Sequence, residues 1–175
     1  RTANFVENKN KLISINKYQN NDANELNLSN FLNNRVYWLT CDILFYKKSL
    51  PPKLKFTEYL KSGQETNFFI KLLSCKNFKS RFIDVVLTHR RIHDDSIRNK
   101  VESSKNESFR QKCLTYIDAY FYIYEKTNQK NLLVIENIVV QALYITGFNL
   151  PKKKINLFFK NFKGNRGWKQ YFYIK

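Results

Sequence analysis

The 175-residue chain has no methionine, only three cysteines, and 14 acidic residues against 31 basic ones. Translation starts on Met, and residues 1–5 lack the apolar core of a signal peptide, so the expectation is a piece of a longer protein. Cys41, Cys75 and Cys113 are odd in number and widely spaced. That excludes a disulfide framework and a C-x-x-C metal site, and reduced thiols in a cytoplasmic protein are expected. Long apolar runs are also missing: the stretch 132–140 is broken by Glu136 and Asn137, well short of the roughly 18 residues of a spanning helix. The shortage of acid leaves a formal charge of +17, which favours a polyanionic partner. Lysine and asparagine are abundant together throughout, however, as in a chain with a drifted composition. Charge alone therefore selects no function.

What is present suffices for one folded domain. Hydrophobic residues make up 43% of the chain, with 15 Phe and 11 Tyr, enough to bury a core. Residues 1–34 are polar and Asn-rich, with one candidate strand at 11–16. The segment 35–46 has the β-branched and aromatic content of a strand pair or a long bent strand, ended by Pro51-Pro52. Residues 65–76 read as a short helix with Phe69, Leu72 and Leu73 on one face, and 82–87 as a strand. Beyond residue 100 the spacing turns helical. Segments 109–125 and 132–148 carry the 3.6-residue apolar period, Gly147 stands at a stop position, and Pro151 opens a further helix. Its apolar face holds Ile155, Phe158, Phe159 and Phe162. The expected organisation is mixed α/β over 1–100 and a helical, basic-aromatic extension over 101–175.

Two segments carry candidate chemistry: KFTEYLKSGQETNFF at 55–69 and VLTHRRIHDDSI at 86–97. Ser62-x-x-Glu65 fits a capping box, in which Glu65 merely satisfies a helix N-terminus. Arg90 and Arg91 can fork onto phosphate or stay solvated. His93, with Asp94 and Asp95, fits a polar loop as well as a ligand cluster. In this order and spacing, and with WLT at 38–40 and FYKKS at 45–49 before them, these segments resemble family 2 glycosyltransferases of bacterial surface-polysaccharide pathways. The resemblance covers roughly residues 35–98.

That resemblance implies an α/β fold, namely the C-terminal, acceptor-side part of a GT-A domain with a helical C-terminal extension. It implies inverting transfer from a nucleotide-diphosphate sugar to a saccharide acceptor, as in lipopolysaccharide or capsule synthesis. By position, Glu65 corresponds to the general base on the acceptor hydroxyl, and Gln64 replaces a more usual acid. His93 corresponds to a residue near the donor diphosphate and its Mg²⁺ or Mn²⁺, with Arg90 and Arg91 as diphosphate candidates. Gly63 lets the backbone turn sharply just before Glu65. No D-x-D metal motif and no nucleotide-binding strand precede these segments, so an inactive fragment is expected, with the metal held mostly by the absent half. The tail 149–175 combines eight basic residues with interleaved aromatics and no acid. Its candidate partners are an anionic membrane surface, the missing half of the enzyme and, ranked last, nucleic acid. The expected location is the cytoplasm, with peripheral attachment to the inner membrane through the tail. The rival reading is a basic helical module for nucleic acid or a membrane surface, and no nucleic-acid-binding signature supports it.

Overall fold

Helix α2 (Gln64–Leu73) is buried along seven consecutive residues, Asn67 to Leu73. A helix with no solvent face must be enclosed by its neighbours, and this one is. A computed structural model of the chain describes residues 2–6, 11–15, 26–36, 40, 43–75, 85, 88–92, 105–146 and 150–162. Among them, α1 (Leu28–Leu32) and α3 (Lys105–Ile123) both pack on α2. Phe31 of α1 meets Phe69 edge-on at 6.1 Å, and Phe56 stacks on Phe68 at 4.5 Å. Aromatic pairs of this geometry contribute about 0.5–1.5 kcal/mol beyond their buried area.

Helix α3 continues through residues 124–128 into α4 (Gln129–Thr146), whose buried Leu132, Ile135, Glu136, Val139, Val140 and Leu143 recur at helical spacing. The Asn128 side chain caps α4 by accepting a hydrogen bond from the Asn131 amide at 3.0 Å. Contacts pair Cys113 with Val139 and Tyr120 with Glu136, so the two helices run antiparallel. Helix α5 (Lys152–Asn161) starts after Pro151 and inserts Phe158 beside Tyr120 at 5.1 Å. Burial in this core pushes the Cys113 thiol up to about 12, so it packs as an inert apolar group.

A small sheet completes the described residues. β1 (Thr2–Val6) lies between β2 (Lys11–Ile15), antiparallel to it, and β3 (Thr88–Ile92), parallel to it. The described residues are therefore mostly helical with a three-stranded sheet, and from residue 105 onward they are helical. The GT-A arrangement itself goes beyond them.

Several expectations need correction. The described residues of 35–46 form no strand. Val36 is buried there and Phe45 meets Phe68 edge-on at 6.0 Å, so the apolar content serves core packing from irregular backbone. Residue 85 is a bend, the rest of 82–87 lies outside the described residues, and the strand is Thr88–Ile92. Arg90 and Arg91 consequently lie within β3, opposite Asn4 and Phe5 of β1, and not after a strand. In the tail, Phe158, Phe159 and Phe162 are core residues and are not displayed for an interface. Two elements, β1 and α1, were not foreseen. His93, Gly147 and 163–175 lie outside the described residues.

Gly63 sits at the N-cap of α2 with φ of 77°. A Cβ there would stand 2.4 Å from the Thr115 hydroxyl oxygen. Gly63→Ala therefore meets two penalties, the left-handed backbone at about 1–2 kcal/mol and the collision. We expect a loss of about 2 kcal/mol in denaturant titration, with part of it recovered in Gly63→Ala/Thr115→Ala. A cost below about 0.5 kcal/mol would mean that the turn relaxes freely.

Candidate functional site

The polar residues buried with α2 need partners, because an unpaired buried amide or ammonium is costly. They find them on one stripe of α3. Gln111, Thr115, Asp118 and Tyr122 follow one another at intervals of four, three and four residues, one face of a helix. Gln111 accepts a hydrogen bond from the Lys61 amide at 3.0 Å. The Thr115 hydroxyl donates to the Ser62 carbonyl at 3.4 Å, beside Gly63. Asp118 is the centre of the stripe.

Lys71 donates to Asp118 Oδ2 at 2.6 Å and to the Thr57 hydroxyl at 2.9 Å. Asn67, with no exposed surface, donates to the same Oδ2 and to the Thr115 carbonyl, each at 2.9 Å. The Thr57 hydroxyl proton has Asn67 Oδ1 at 2.9 Å and Asp118 Oδ2 at 3.1 Å within reach. Tyr59 donates to Asp118 Oδ1 at 2.6 Å. Burial pushes the Asp118 carboxyl up, but the hydrogen bonds from Lys71, Tyr59 and Asn67 outweigh it and hold the group below the usual carboxylate range. Partial burial and the Asp118 carboxylate push the Tyr59 hydroxyl up. Two further cations flank the network: Lys154 lies 4.1 Å from the centre of the Tyr59 ring and Lys126 lies 3.6 Å from that of Tyr122.

Glu65 stands in the first turn of α2 and is exposed. The capping box is not formed, because the N-cap is Gly63 and no side chain caps the helix. Glu65 makes no hydrogen bond or ion pair to another described residue. A carboxylate in the first helical turn is favoured by the positive end of the peptide dipoles, and it is open to a hydroxyl from solvent.

The expected site residues fall on separate elements or outside the described residues. Glu65 lies on α2 and Arg90 and Arg91 on the sheet, and His93 is outside the described residues. Among the described residues no group of three or more His, Cys, Asp or Glu side chains can hold a metal ion. No described helix is long and apolar enough to cross a membrane.

The α3 stripe was missed because its aromatic neighbours make the segment read as plain core. The signal that could have found it is the polar set Gln111, Thr115, Asp118 and Tyr122, at helical spacing inside an otherwise apolar helix. No family model matches the chain, and no curated protein or solved structure matches it either.

Proposed function

We propose that this chain is the acceptor side of an inverting, family 2-like glycosyltransferase, with Glu65 as the general base. The supporting observation is the state of Glu65. It follows a left-handed glycine, sits exposed in the first turn of a helix, and is not engaged as a cap. In this reading the acceptor hydroxyl oxygen forms a bond to the anomeric carbon of the donor while the Glu65 carboxylate takes its proton. The nucleoside diphosphate leaves with the electron pair of the broken bond, and the anomeric centre inverts. General-base catalysis of this kind supplies about 10²–10⁴-fold.

The donor half belongs, in the same reading, to a longer GT-A enzyme, with Arg90, Arg91 and His93 towards the diphosphate and Mg²⁺ or Mn²⁺ held mostly by residues outside this chain. A bacterial surface polysaccharide is the product class that the motif resemblance favours. Attachment of 149–175 to an anionic membrane would depend on charge, since Lys152, Lys153 and Lys160 are exposed while the helix's Phe158 and Phe159 are buried.

Glu65→Gln keeps the size of the side chain and removes its basicity. In the full-length enzyme, with UDP- and GDP-sugar donors, we expect kcat to fall by roughly 100-fold or more at an unchanged melting temperature. Turnover within a few-fold of the parent would sink the assignment of Glu65 as base.

A further inference from the structure

Glu65 makes no hydrogen bond or ion pair to another described residue, so among these its placement comes from the backbone beneath it. The long-range hydrogen bonds that reach α3 come from both sides of Glu65. On the N-terminal side, the Lys61 amide is bound by Gln111 and the Ser62 carbonyl by Thr115, while Gly63 abuts Thr115 too closely for any side chain. On the C-terminal side, Asn67 and Lys71, two and six residues beyond Glu65, both end on Asp118 Oδ2. Thr57 and Tyr59 bring the incoming loop to the same carboxylate. Asp118 is thus the shared acceptor for both chain segments that flank the Glu65 turn.

We propose that Asp118 is a positioning residue for Glu65, holding the first turn of α2 at a fixed place against α3. This rests on the reading of Glu65 as the general base. One carboxylate that gathers donors from α2 and from the 57–59 loop sets the direction of the helix start as well as its depth. A base is useful only when it is held within hydrogen-bond reach of the hydroxyl it deprotonates, and misplacement by about 1 Å can cost 10²-fold. Stability alone is a poor reason for such a cluster, because buried ion pairs are often matched by apolar packing of the same volume.

The test separates positioning from general stability. Amide hydrogen exchange on the 175-residue chain reads Asn67, Phe68 and Phe69, whose amides close onto the carbonyls of Gly63, Gln64 and Glu65 in the helix pattern. Asp118→Asn should speed exchange at these three amides by about tenfold or more while Val139, Val140 and Leu143 in α4 stay within about twofold. Tyr59→Phe, which removes one donor from a half-exposed side chain, should give a smaller increase at the same amides. In the transferase assay with a UDP- or GDP-sugar, Asp118→Asn should lower kcat about tenfold or more with KM little changed. Exchange that rises equally in α2 and α4, or in neither, overturns the proposal, as does a kcat equal to that of the parent. Should Glu65→Gln retain turnover, the base assignment falls while the exchange pattern at α2 still stands or fails independently.

Discussion

Lys71→Met should lower the stability of the chain by about 3 kcal/mol, because it leaves the Asp118 carboxylate in its half-buried place without its cation. The side chain of Lys71 is 9% exposed and that of Asp118 is 23% exposed. The pair is sheltered enough for the loss to exceed that of a surface ion pair, worth about 0–1 kcal/mol. For a chain of this length the loss corresponds to a fall in melting temperature of very roughly 10 °C. The pH dependence has a definite sign. Asp118 is depressed in the folded state, so its contribution is present above the unfolded carboxyl value of about 4 and is lost as pH falls through the lower folded value. With Lys71 gone that depression is weakened and protonation relieves the stranded charge. The deficit of Lys71→Met relative to the parent should therefore shrink below pH of about 4. Parallel thermal melts between pH 7 and 3 test this, and a deficit that is constant over the range, or smaller than about 0.5 kcal/mol, contradicts it.

Phe158→Ala should cost about 3–5 kcal/mol, the usual range for emptying a fully buried aromatic site. Phe158 has no exposed surface and lies against Tyr120, Phe159 and Phe162, at ring separations of 5.1, 5.3 and 5.7 Å. It anchors α5 together with Phe159 and Phe162, and the Tyr120 hydroxyl donates to the Asn161 carbonyl at 3.0 Å. Its neighbour Leu157 is 47% exposed, so Leu157→Ala should stay within about 0.5 kcal/mol as a matched control. Denaturant midpoints, together with tryptic cleavage at Lys152, Lys153 and Lys154, give the reading. Loss of less than about 1 kcal/mol with unchanged cleavage would mean that α5 is not part of the core.

The two long helices were legible because their burial is one-sided. Segments 109–125 and 132–148 match α3 and α4 closely because each buries one stripe, and Pro151 marks the start of α5. The short strand at 11–15 was legible as well. The described residues of 35–46 form no strand although their content favours one, because strand propensity measures fit to a half-buried surface, and Val36 and Phe45 meet that condition without pairing. At the site, Gly63 and Glu65 could be found because their signal is local. For Asp118 the polar set Gln111, Thr115, Asp118 and Tyr122 marks the helix face, but not the role, because its partners Thr57, Tyr59, Asn67 and Lys71 stand 47 to 61 residues away.

That same separation bears on the order of assembly. Tyr120 and Glu136 meet across 16 residues, whereas Thr57 and Asp118 meet across 61. Closing the longer loop costs about 1 kcal/mol more in chain entropy, and no contact rewards it until α2 reaches α3. The α3–α4 hairpin is therefore positioned to form early, and the segment 57–73 to dock onto it late. Run in reverse, release of that segment is an opening that leaves the hairpin folded and lies below the free energy of complete unfolding. By this comparison the turn that carries Glu65 docks after the hairpin and opens before it.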